Sequence, residues 1–226
     1  AITLSTANGA LSGSSSDLVL AFAGTVTTHA GTVTVTNSDY TVDELKAINA
    51  ATTGAITLNT PNVPISGIST DIYAAFDGDI NFSGAVTITN NDYSVAELKT
   101  INTGTTGSIT LNFPSASLSG NSTDIAAAFA GTVTEHTGTI AITNDDYTLP
   151  ELVTINNAST GAITLTTTNR PLSGTSTDLA SALAGTINYA GEVTVSNNDY
   201  TAQQLKTINN GTAGSITLSI ADVALL

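Results

Sequence analysis

The sequence predicts an α/β fold, a right-handed solenoid of four repeats, on three observations. The first is internal repetition. The same phrase begins at Ala1, Ala55, Ser108 and Ala162, so copies of 53 or 54 residues follow one another through the 226-residue chain. Self-similarity at this period marks a stacked array, because a unit of this size buries too little surface alone and must share a core with its neighbours. The second is a pair of short helices per copy with strong start signals. The third is a strictly alternating strand between them.

Each copy opens on Ile-Thr-Leu, at Ile2, Ile56, Ile109 and Ile163, and the phrase returns a fifth time at Ile216. It reads as a strand. After Leu/Ile-Ser-Gly comes the first helix, with Ser15, Ser69, Ser122 and Ser176 as expected N-caps. Asp17, Asp71, Asp124 and Asp178 follow in the first turn, where a carboxylate meets the positive end of the helix dipole. Leu18, Ala21 and Phe22 form its buried stripe, and Gly24, Gly78, Gly131 and Gly185 close it. The alternating run Thr32-Val33-Thr34-Val35-Thr36 is a half-buried strand, with counterparts at 86–88, 140–142 and 193–195.

The second helix carries the sharpest signal. Thr41/Glu44, Ser94/Glu97, Thr148/Glu151 and Thr201/Gln204 have capping-box spacing. Tyr40, Tyr93, Tyr147 and Tyr200 precede the caps, and Leu45, Leu98, Leu152 and Leu205 lie four positions into the helix, the pairing of a hydrophobic staple. Pro150 falls in a first turn, where its missing N–H is harmless. Gly54, Gly107, Gly161 and Gly214 mark the stops.

Alternating strands and helices with short connections favour parallel strands and right-handed crossovers. Each copy therefore reads as two strand–helix coils of leucine-rich-repeat length, with a parallel sheet on one face and short helices on the other. The alternative is a β-solenoid with helical corners. The expected organisation is one domain over 1–226, with repeats 1–54, 55–107, 108–161 and 162–214, and with 215–226 the terminal strand of an incomplete fifth repeat.

Composition narrows the function. The net charge is -14 with only Lys46, Lys99, Lys206 and Arg170 as cations. Such a chain repels a phosphate backbone and an anionic membrane surface, which argues against nucleic acid as a partner. Cys, Met and Trp are absent. There is no disulfide framework and no thiolate metal site, and few groups are open to oxidation, which suits the cell exterior. No apolar run approaches the length of a membrane span.

The stretches TNNDYSVAELKTINTGTTGSITL (89–111) and LSGNSTDIAAAFAGTV (118–133) resemble repeat tracts of very large secreted bacterial surface proteins, notably cyanobacterial ones of S-layer, adhesin or hemolysin type. The resemblance covers essentially the whole chain. It implies an extracellular coat, spacer or filament role, and it brings no catalytic residues. The Gly-Gly-x-Gly-x-Asp calcium nonapeptide common in such proteins is missing here.

Candidate sites are few. Asp39, Asp92, Asp145, Asp146 and Asp199 sit in Asn/Ser-rich turns and are weak calcium candidates, since oxygen-rich loops hold that ion; turn chemistry is the preferred account of them. Equivalent acids two strand spacings apart would lie roughly 9.6 Å from one another, too far for a retaining glycosidase pair and at the edge for an inverting one. His29 and His136 stand two copies apart and cannot share a metal. No catalytic or cofactor-binding residue is expected, and an enzyme is not. Thr3, Thr57, Thr110, Thr164 and Thr217, with Thr34, Thr87 and Thr194, form a possible exposed Thr ladder that Ala141 interrupts. Such rows suit an ice-binding surface, although Glu192 beside them does not.

The sequence thus predicts a non-enzymatic extracellular structural protein, a coat, spacer or self-assembling filament subunit. An adhesin-type module for glycan or protein is the alternative, and ice binding a third. The expected partner is another copy end to end, or further repeats. A glycan or surface partner is possible; nucleic acid and membrane insertion are not expected.

Overall fold

The computed structural model describes residues 6–24 and 27–220. The expected strand at Ile2–Leu4, Thr3 with it, and the apolar segment 221–226 lie outside those residues. Among the described residues the chain is α/β, with eight helices and twelve strands in four parallel three-stranded sheets.

The first copy contributes β1 (Leu11–Gly13), α1 (Ser15–Phe22), β2 (Val33–Val35) and α2 (Val42–Ala51), and the next phrase supplies β3 (Ile56–Leu58). The pattern then repeats. β4 (Ile65–Gly67), α3 (Ser69–Phe76), β5 (Val86–Ile88), α4 (Val95–Gly104) and β6 (Ile109–Leu111) make the second sheet and its helices. The third set is β7 (Leu118–Gly120), α5 (Ser122–Phe129), β8 (Ile140–Ile142), α6 (Leu149–Asn157) and β9 (Ile163–Leu165). The fourth is β10 (Leu172–Gly174), α7 (Ser176–Ala182), β11 (Val193–Val195), α8 (Ala202–Gly211) and β12 (Ile216–Leu218). The sheets are ordered β1-β2-β3, β4-β5-β6, β7-β8-β9 and β10-β11-β12. Leu11 pairs Val33, which pairs Ile56, and the register repeats in each sheet.

Two expectations need correction. Leu/Ile-Ser-Gly, given no structure in the two-strand reading of a copy, is a third strand in every copy, so each set of strands forms its own three-stranded sheet. The first helices also start one residue earlier than read from the serines. Ser14, Asn121 and Thr175 are the caps, each accepting the N–H of the Asp three residues on. Ser15, Ser69, Ser122 and Ser176 are fully buried at the first helical position, where they face inward. In α3 the cap is Ile68, 44% exposed and without a side-chain acceptor. Ile68→Asn, the solution the third copy uses at Asn121, is expected to stabilise the protein by about 1 kcal/mol. The check is the urea midpoint at unchanged slope.

The second helices start as expected. Capping boxes form at Thr41/Glu44, Ser94/Glu97 and Thr201/Gln204, and Glu151 accepts the Thr148 N–H. The preceding tyrosines do more than staple. Their hydroxyls donate to carbonyls further along the chain: Tyr40 to Thr60, Tyr93 to Phe113, Tyr147 to Thr167 and Tyr200 to Ile220. Burial pushes the Tyr93 phenol up to about 12.

The chain forms two compact units. One comprises the described residues through Phe113 with Gly131–Val133; the other comprises Pro114–Ala130 with the described residues from Thr134. In the first, α2 packs on α3, Lys46 pairs with Asp71, and Asn49 donates to the Ala74 and Asp77 carbonyls. In the second, α6 packs on α7 and Asn156 donates to the Ser181 carbonyl. The core lies between strands and helices: Val33, Val35, Leu45, Ile48, Ile72, Leu98 and Ile101 are all 0% exposed.

The turn after each second helix is built on close backbone approach. Gly54 packs against the Gly31 carbonyl so tightly that a Cβ would overlap it, and Gly107 on Gly84, Gly161 on Gly138 and Gly214 on Gly191 do the same. A hydroxyl ties each pair. Gly54 N–H donates to Thr52 Oγ1, whose O–H donates to the His29 carbonyl. Thr105, Ser159 and Thr212 repeat the relay, bonding the Gly84, His136 and Gly191 carbonyls.

Candidate functional surface

Alternation along three-residue strands divides inward from outward. Val33, Val35, Ile56 and Leu58 point in and are buried; Ser12, Thr34 and Thr57 stand side by side on the other face. The same row reads Ser66–Thr87–Thr110, Ser119–Ala141–Thr164 and Ser173–Thr194–Thr217. Neighbours in a row are about 4.8 Å apart. The Thr residues of the expected ladder therefore sit crosswise: Thr57 stands beside Thr34, Thr110 beside Thr87, and Thr217 beside Thr194. Each row is three residues long, and the central residue is half-buried. The rows offer neutral hydroxyls and no charge.

The acids of the calcium set have a local occupation. Asn37 Nδ2 donates to Asp39 Oδ1 at 2.7 Å and to Ser15 Oγ at 3.0 Å, while Asn37 Oδ1 accepts the Ser15 N–H at 2.7 Å. Asn90, Asn144 and Asn197 hold Asp92 with Ser69, Asp146 with Ser122 and Asp199 with Ser176 in the same way. The amide thus satisfies a buried serine on one side and is oriented by a carboxylate on the other. The Asn hydrogen bonds hold Asp39 and Asp146 below the usual carboxylate range. Asp145, beside this clasp, has its backbone carbonyl bonded by Arg170. The five candidates are distributed over four separate turns, and among the described residues no group of three or more His, Cys, Asp or Glu side chains could hold a metal ion. Sequence reasoning singled out the Asp and missed the Asn. The signal was the recurring Asn-x-Asp-Tyr; its partner, the buried serine, lies 21 or 22 residues earlier.

Glu151 is pulled two ways. Burial raises its pKa, but hydrogen bonds from Thr123, Thr148 and Ser122 outweigh that and leave it below the ordinary value. Glu97 likewise accepts from Ser69 as well as from its own cap. The capping acids thereby tie second helices to first helices.

His29 and His136 occupy buried aromatic slots. Their rings lie 5.9 Å from Phe22 and 5.5 Å from Phe129, and neither imidazole nitrogen has a hydrogen-bond partner in either residue. Phe82 and Tyr189 fill the corresponding slots of the second and fourth copies. Burial lowers the His136 pKa below its ordinary 6.5, against a weaker opposing pull from the Ala116 carbonyl. Protonation therefore favours the unfolded chain. The stability that neutral His136 contributes is complete above pH 6.5 and is lost as pH falls from there toward the lower folded pKa. His136→Phe is expected to remove that loss, so that its advantage over the parent grows as pH drops from about 6.5 to about 5. Urea titrations across that range check it. Loss of the Asp39 and Asp146 contributions begins lower, below pH 3.8.

Two surface hollows gather little chemistry. One of about 380 Å³ beside α1 and α2 is lined by Val19, Phe22, Ala47, Ala50 and neighbours with no ionisable side chain. Another of about 390 Å³ beside α6 has Glu135 as its one carboxylate. No helix among the described residues is long and apolar enough to cross a membrane. Compared with protein-family models and with curated protein sequences, the chain has no match to either.

Proposed function

We propose that the chain is a non-enzymatic structural repeat protein of the cell exterior, a coat, spacer or filament subunit whose copies stack as a solenoid. The observation that carries the reading is where the recurring polar side chains are spent. The Asp17 set and the capping acids serve helix starts, the Asp39 set orients the asparagine clasps, and the threonines after the second helices tie the turns. Recurring acids committed to local structure are not free for acid–base work. The stacking part draws on the α2–α3 and α6–α7 packing, by which one copy covers the next within each unit. The exterior location draws on the absence of Cys and Met together with the resemblance to secreted repeat tracts.

Small-angle scattering with sedimentation tests it. A rod, with a maximum dimension well beyond that of a sphere of equal mass, is the expected result. A sphere-like profile, or two independently moving beads, would sink the solenoid.

The adhesin reading is supported by the outward rows of serine and threonine hydroxyls. Against it, exposed aromatic anchors for sugars are scarce: Tyr189 is buried and bonded to the Arg170 carbonyl, which leaves half-buried Tyr73 and Phe22 and exposed Phe113. Binding on a glycan array would favour it. Ice binding would use the same rows, and thermal hysteresis is its test.

A further inference from the structure

Apolar side chains that are buried in the other copies are uncovered at two places. On α8 and β12, Leu205, Ile216 and Leu218 are half-exposed, whereas Leu45, Leu98 and Leu152 are 0% exposed and Ile56, Leu58, Ile163 and Leu165 are each 2% exposed. They line a hollow of about 470 Å³ with Ala202, Lys206 and Asn209. On α1, Ala21 is exposed and Phe22 half-exposed, whereas Ala75, Ala128 and Ala182 are 0% exposed and Phe76 and Phe129 are 3% exposed. Leu20 stands 72% exposed beside them.

The polar groups at the two faces match as well. Inside the chain, Lys46 of α2 pairs with Asp71 of α3, and Asn49 of α2 donates to the Ala74 and Asp77 carbonyls. Lys206 and Asn209 stand on α8 where Lys46 and Asn49 stand on α2, and Asp17, Leu20 and Ala23 stand in the first copy where Asp71, Ala74 and Asp77 stand in the second. Lys206 and Asp17 are both exposed. One face thus presents the donors and the cation, and the other the carbonyls and the anion.

We infer that the α8–β12 face binds the α1 face of a second copy of this chain, head to tail. The register is that by which α2 meets α3, with Lys206 paired to Asp17 and Asn209 donating to the Leu20 carbonyl. The inference rests on the stacked-repeat reading above and names its interface. A contact between two different faces leaves one face of each kind free after a pairing, so further copies add to the first two.

The test is sedimentation velocity from low micromolar to millimolar concentration. The parent mass is expected to rise with concentration. Lys206→Asp sets an acid against Asp17, and Asp17→Lys sets a cation against Lys206; each alone is expected to weaken association about tenfold. An equimolar mixture of the two is expected to regain parental association, because every interface in an alternating fibre then joins opposite charges. Ala21→Arg, at an exposed position, is expected to abolish association while leaving the melting temperature unchanged. Three outcomes overturn the inference. The parent stays monomeric throughout; or both charge variants associate as the parent does, so that another surface is responsible; or a chain lacking 221–226 associates where the full chain does not, so that its own last residues occupy the face. A rod-like scattering profile in any of these cases leaves the stacked structural reading intact, and a sphere-like one removes that reading separately.

Discussion

Gly54→Ala is expected to destabilise the protein by about 3 kcal/mol or more, although it adds a single methyl group. The new Cβ would overlap the carbonyl oxygen of Gly31, and the next nearest atoms are also backbone, the Gly31 carbonyl carbon and the Ala30 oxygen. No rotamer change relieves a clash with main chain, so the neighbouring strand connections must separate. Separation would stretch the Thr52 relay, which holds the Gly54 N–H and the His29 carbonyl through one hydroxyl. Gly9→Ala is the control: its Cβ would meet only the Thr6 oxygen, at 3.8 Å, an ordinary contact, and less than about 0.5 kcal/mol of change is expected. Urea unfolding of both variants decides the matter. Equal midpoints would show that the turn can open without penalty.

Asn144→Ala is expected to cost about 2–3 kcal/mol. Asn144 Oδ1 accepts the N–H of Ser122 and Nδ2 donates to Ser122 Oγ, and Ser122 is fully buried at the start of α5. Truncation leaves a buried donor unpaired, and the carboxylate of Asp146 loses the donor that lowers its pKa. Asp146→Ala should cost less than about 1 kcal/mol, since it removes only an exposed bond that orients the amide. The contrast between the two is the informative measurement. If Asp146→Ala were the more damaging, the acid would have a task other than orientation, and ion binding would come back into view.

What could be read from the sequence was what is local. The capping boxes at Thr41/Glu44 and Ser94/Glu97 have both partners within four residues, and their starts fall where the spacing puts them. The Leu-Ser-Gly strands were not legible, because three residues containing Ser and Gly carry no strand propensity. Leu11 becomes a strand residue only through pairing with Val33, 22 positions away. The N-cap shift has a related cause. Ser14, Ser15 and Ser16 are equal as caps by type, and only the distant Asn37 decides which of them turns inward. The asparagine clasp was hidden for the same reason, while its Asp looked like a ligand because acids in Asn-rich turns usually invite that reading. The Thr rows were anticipated by composition, but their direction depended on how many strands a copy contains.

Hydrogen bonds between amides and hydroxyls recur in every copy of this fold, and the chain's four cations, of which Lys46 pairs with Asp71, keep its ion pairs few. Dissolved electrolyte therefore has little attraction to weaken and a surplus of fourteen negative charges whose mutual repulsion it can mute. Brine, which loosens proteins laced with ionic contacts, should make this one firmer.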